Sequence, residues 1–137
     1  MVRTEVLRRR LHKLDEYMSI LRNLRRTPWE VFHRDPEKYG SAERFLHLSI
    51  EAINDMGSHV VADLNLGPVV FARDVPEHLH EAGYLDDDLY ERWLQMIGFR
   101  NVLVHDYLDI DHRLVYEVLQ QHLDDFERLR QVFAAFL

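Results

Sequence analysis

Leu7, Leu11, Leu14, Met18 and Leu21 recur at intervals of four and three. That spacing draws one apolar stripe down a helix and does not fit the two-residue period of a half-buried strand. Tyr17, Ile20 and Leu24 widen the stripe, so a helix from about Thr4 to Arg26 is expected to pack against more than one neighbour. Thr27-Pro28 ends it, because proline disfavours helical backbone in the residue before it. Trp29 to Gly40 reads as a connection. The helical period then returns from about Pro36 or Ser41 to Leu64, with Ala42, Leu46, Ser49, Ile53, Met56, Val60 and Leu64 on one face and Phe45, Leu48 and Ala52 beside them. Gly57 inside this helix invites close approach of a neighbour. Gly67-Pro68 breaks the pattern. Val69-Val70-Phe71 imitates a strand, but no other segment offers it a partner. A short helix is expected from Asp74 or Pro76 to Gly83, followed by a helix from about Asp87 to His105 that Asp86 caps and that buries Leu89, Trp93, Met96 and Ile97. After a turn near Leu108 to Ile110, Asp111 caps a last helix, in which Val115, Val118, Leu119, His122, Phe126, Leu129, Phe133 and Phe136 keep a near-heptad spacing. The expected fold is all-α, an up-and-down bundle of four main helices plus one short helix, forming a single domain over residues 1–137.

At 137 residues and 47% hydrophobic content, the chain has enough apolar surface for one buried core. It has no cysteine, which removes disulfides, thiolate metal sites and a cysteine nucleophile. Met1 to Val6 lacks the apolar run of a signal peptide, and no stretch reaches the roughly 20 apolar residues of a membrane span. A cytoplasmic protein is expected. The net charge of −7 is unevenly placed. Residues 1–26 carry eight basic and three acidic side chains, a local balance of +5 that leaves −12 for the other 111 residues. Such a basic first helix suits either a solvated face, an acidic partner, or the guidance of a phosphate backbone towards a site elsewhere.

Reactive chemistry concentrates in Gly98 to Asp111, where Arg100, Asn101, His105 and Tyr107 fall within eight residues. A fixed cation, an amide, an imidazole that titrates near neutral pH and a phenol are the groups needed to hold a phosphodiester and move protons around it. Phe99, Val102, Leu103, Val104 and Leu108 are expected to tie the segment to the core. Arg100 and His105 lie five residues apart, about 140° around an ideal helix, so they do not share a face. Two copies meeting at a two-fold axis would pool both side chains in one cleft. Asn101 and His105, at i and i+4, do share a face. Elsewhere, His78 and His80 lack a carboxylate at zinc-site spacing. Asp106 and Asp109 offer a weak Mg²⁺ alternative beside the capping Asp111, and Asp86-Asp87-Asp88 suits a helix start. No metal site and no cofactor is expected.

The block Met96-Ile97-Gly98-Phe99-Arg100-Asn101, Val104-His105, Tyr107 and Ile110-Asp111 resembles the R-x4-H-x-Y signature of HepT-like ribonuclease toxins in the HEPN superfamily, and the likeness extends over essentially the whole chain. The resemblance implies the toxin of a type II toxin–antitoxin system. It would be a homodimeric, metal-independent endoribonuclease acting on RNA and paired with a minimal nucleotidyltransferase (MNT) antitoxin. It makes Arg100 and His105 the catalytic pair, Asn101 their support and Tyr107 the acceptor of a silencing AMP. A second reading from the same superfamily is a non-catalytic subunit that presents a nucleotide or other substrate to a nucleotidyltransferase.

Overall fold

A computed structural model describes all 137 residues. The chain forms seven helices: α1 Thr4–Arg25, α2 Trp29–Phe32, α3 Pro36–Asp63, α4 Asp74–Glu81, α5 Asp87–His105, α6 His112–Gln121 and α7 Leu123–Ala134. There is no strand, so Val69-Val70-Phe71 is loop as expected, its backbone N–H groups at 70 and 71 taken up by the Asp74 carboxylate at 2.9 and 2.8 Å. The all-α bundle stands as anticipated, with two differences. Trp29–Phe32 is a short helix rather than a plain connection, and the expected last helix is two. The break falls at His122, where φ −120° and ψ 6° leave the helical region. Neither glycine nor proline marks it. The apolar spacing runs in phase through the bend, because Val115 and Leu119 before it and Leu123, Phe126 and Leu129 after it all enter the same core.

α3 is the central post of the bundle, contacted by every other helix. Asp35 caps it by accepting the Glu37 N–H at 3.0 Å, and Pro36 occupies its first turn, where a missing N–H costs nothing. Both sides of α3 are buried, from Ala42 through Ile50 and Ile53 to Val60 and Val61. Ser49 is enclosed without penalty because its hydroxyl donates to the Phe45 carbonyl at 2.7 Å. α1 lies along α3 and inserts Leu7, Leu11, Leu14, Met18, Leu21 and Leu24. α7 closes the far side of α1 through Phe126, Leu129 and Phe133, with rim pairs Arg130–Asp15 at 2.6 Å and Arg22–Glu127 at 2.9 Å. α6 seals the end of α1. There Gln120 donates to the Arg25 carbonyl at 2.7 Å and Tyr116 to the Thr27 carbonyl at 2.8 Å, meeting acceptors that the helix end leaves open. A single cluster of 29 buried hydrophobic residues results. No helix is long and apolar enough to cross a membrane.

Gly57 is where α3 comes closest to its neighbours. A Cβ there would sit 2.6 Å from both Trp93 Cη2 and Val75 Cγ1. Trp93, fully enclosed, is also fixed by its indole N–H, which donates to Asn54 Oδ1 at 2.8 Å. Gly57→Ala is therefore expected to destabilise the fold by about 1–3 kcal/mol, as overpacking does, despite a helix-propensity gain of up to about 1 kcal/mol. Thermal unfolding checks this: a variant that melts at or above the parent temperature contradicts the close packing.

Candidate functional site

α5 carries the reactive segment, and its start is strongly specified. The Asp86 carboxylate accepts the Leu89 N–H at 2.7 Å, and Asp87 and Asp88 place negative charge on the first turn. Leu89, Trp93, Met96, Ile97, Phe99 and Leu103 point into the core. The helix stops at His105, where Asp106 takes φ −111° and ψ 30° and its N–H still reaches the Val102 carbonyl at 2.9 Å. One expectation fails here. Leu108 is not a core residue but 82% exposed, since it belongs to the turn closed by Asp109 N–H on the Asp106 carbonyl, beyond the reach of α5's buried face. Val102 and Val104 are only half-buried.

The two sides of α5 have different surroundings. Arg100 turns towards α3 and is half-buried, its Nε donating to Glu51 Oε1 at 2.6 Å. Its Nη1 also donates to Asn101 Oδ1 at 3.3 Å, so the arginine is held in two directions while part of the guanidinium remains free. One turn before Glu51 stands His47, with Nε2 3.9 Å from Glu51 Oε1. Burial lowers the His47 pKa. Glu51 pulls it back up, and the nearby Arg100 and Arg44 push it down again, so the neutral ring is favoured beside the arginine. The other side of α5 borders an apolar cleft of about 300 Å³, lined by Met96, Phe99 and Val102 together with Leu114, Val118 and Phe126. Gly98 also lines it. Asn101 and His105 continue the line of Gly98 and Val102 along the helix, and both are exposed.

The structure thus joins Arg100 to Asn101 and Glu51 and sets His105 apart at the helix end. Tyr107 projects from the following turn with 68% of its surface exposed. Asp111 caps α6 by accepting the Arg113 N–H at 2.9 Å, and Asp106 and Asp109 face solvent, as expected. His78 and His80 are absorbed structurally. His78 Nε2 lies 2.7 Å from the Pro68 carbonyl, and His80 Nε2 lies 2.7 Å from Asp87 Oδ1 while its ring stacks on Tyr90. The residue missed by sequence reasoning is Glu51. It lies 49 positions from Arg100, and only the His47–Glu51 spacing of four on a half-polar face hinted at a polar partner.

Residues 13–133 match the family described as ribonuclease HepT-like, and the chain belongs to that family. The mRNA nuclease HepT of Shewanella oneidensis is 33% identical over 85 residues, which cover 62% of this chain and 64% of that protein. The match to this relative therefore spans slightly less than two thirds of its length. A rebuilt and re-refined structure of the tri-AMPylated Shewanella oneidensis HEPN toxin in complex with MNT antitoxin superposes with a TM-score of 0.87 at 25% identity, covering 95% of this chain and 97% of that one. The cytosolic protein YutE of Bacillus subtilis, of unknown function, shares the fold at a TM-score of 0.86 and 18% identity, over 99% and 91% of the two chains.

Proposed function

We propose that this chain is the toxin of a toxin–antitoxin pair, a cytoplasmic endoribonuclease that needs no metal and is silenced by a nucleotidyltransferase antitoxin that adds AMP to Tyr107. The observation that carries this reading is the state of the motif arginine. Arg100 is clamped by Glu51 and Asn101, with part of its guanidinium left open, in a chain of the ribonuclease HepT-like family. RNA brings its own nucleophile. A histidine removes the 2′-hydroxyl proton, O2′ attacks phosphorus, and the P–O5′ bond breaks as the departing oxygen is protonated, leaving a 2′,3′-cyclic phosphate and a 5′-hydroxyl. Arg100 binds the non-bridging oxygens as their charge grows, and Glu51 fixes the angle at which it does so. Asn101 supports the arginine.

Because Arg100 and His105 occupy different sides of α5, the site is completed by a second copy, with the apolar cleft along α5 supplying surface for that contact. Arg100 of one copy then faces His105 of the other across the axis. Purified protein is expected to cleave RNA at an undiminished rate in EDTA, because every proposed group is a side chain of the protein. Cleavage that vanishes with chelator and returns with Mg²⁺ would overturn the metal-free mechanism and bring Asp106 and Asp109 into the reaction.

A further inference from the structure

Between α1 and α3 runs an open groove of about 550 Å³, far more polar than the cleft beside α5. Arg9, Arg10, His12 and Lys13 of α1 line one wall, and Tyr17 stands at its aromatic end. The opposite wall, on α3, includes Glu51 and Asp55. Asp55 holds Arg10 Nε at 2.7 Å, and Lys13 and His12 share the exposed Glu16 at 3.2 Å. Glu51 also accepts a hydrogen bond from Arg100 Nε through its Oε1 at 2.6 Å. The same side chain is therefore a wall of the groove and the anchor of the arginine. The setting is an otherwise acidic molecule with net charge −7, so a concave basic surface is where an RNA backbone finds attraction.

Resting on the ribonuclease reading above, we propose that the α1–α3 groove is the entry track for single-stranded RNA, where Arg9, Arg10 and Lys13 receive successive phosphates and Glu51 marks the passage to Arg100. Ion pairs at the rim do not oppose this. Exposed pairs are worth little, so Lys13 and Arg10 exchange a surface carboxylate for a phosphate at small cost. Tyr17 offers its ring to a base along the way.

The test uses the full chain carrying His105→Ala, so that RNA is bound without being cut, and a labelled single-stranded RNA oligonucleotide as probe in anisotropy titrations across a salt series. Adding Arg9→Gln and Lys13→Gln is expected to weaken binding by about tenfold or more at low salt and to make the log–log salt slope shallower by about 1.4, as loss of two single-strand phosphate contacts requires. Arg9→Glu with Lys13→Glu should weaken it further. All four substitutions sit on exposed positions, and an unchanged helical spectrum and melting temperature confirm a sound fold. With His105 intact, the penalty on cleavage of long RNA should exceed that on a dinucleoside monophosphate, too short to reach the groove, by at least about tenfold. Unchanged RNA binding overturns the track. So does an equal loss on long and short substrates, which places the effect at the reaction centre. Unchanged RNA binding with lost affinity for the antitoxin makes the groove a protein-docking surface instead. If the parent cuts no RNA while the groove variants still lose RNA binding, the nuclease reading fails and the groove stands.

Discussion

His105→Ala is expected to reduce RNA cleavage by about 10²–10⁴-fold, the usual weight of a positioned acid or base, and to make expression of the protein harmless to the host cell. His105 is exposed at the end of α5, so its removal should change stability by no more than about 0.5 kcal/mol. Arg100→Ala should cost about 10²–10³-fold, as loss of one charge-stabilising donor does. It also leaves Glu51 without its cation, at a cost of only about 0–1 kcal/mol because that carboxylate remains in contact with water. The informative step is to mix the two inactive proteins and let subunits exchange. If arginine and histidine come from different copies, a mixed dimer holds one complete pair, and activity returns. A mixture that stays inactive shows that each chain supplies its own pair. Cleavage at the parent rate by either single variant removes the proposed chemistry altogether.

The second large effect is expected at Tyr107. With a cognate nucleotidyltransferase, ATP and Mg²⁺, the Tyr107 phenol oxygen should attack the α-phosphorus, with pyrophosphate leaving and the phenol proton lost, so that the protein gains one AMP in phosphodiester linkage. The new phosphate and base lie two residues from His105, where substrate would sit, and the added negative charge repels RNA while pairing with cations nearby. Cleavage should cease in step with the mass increase. Tyr107→Phe should keep cleaving RNA and escape silencing, since the hydroxyl is the only group removed. Accessibility separates this tyrosine from the others. Tyr107 is 68% exposed and Tyr84 41%, whereas the Tyr116 hydroxyl is occupied with the Thr27 carbonyl at 2.8 Å. Silencing of Tyr107→Phe as complete as that of the parent would move control to Tyr84 or to simple complex formation.

Local rules carried most of the architecture. Asp86 and Asp111 are legible as caps because a side-chain oxygen takes an open N–H within three residues; Asp35 does the same for α3 but does not stand out in the mixed stretch before it. Gly57 was recognisable as a point of close approach, though nothing local identifies Trp93 as the neighbour. The bend at His122 was hidden, because a hydrophobic period reports which residues meet the core and is silent on whether the axis turns between them. Leu108 differs for another reason: apolar character alone suggests burial, but the turn after α5 carries this side chain out to solvent. At the site, residue types and spacing pointed to Arg100, Asn101, His105 and Tyr107. Glu51 required the fold, since the spacing of α3 does not say which residue of another helix its carboxylate meets.

The closure of α7 over α1 has a consequence for how the protein comes into being. α1 is synthesised well before α7, yet α7 covers part of its apolar stripe. Phe126, Leu129 and Phe133 cannot fill the core until they have left the exit tunnel, and until then Leu14, Met18 and Leu21 lack that part of their cover. The bundle therefore closes only after α7 has emerged, long after α1 is made.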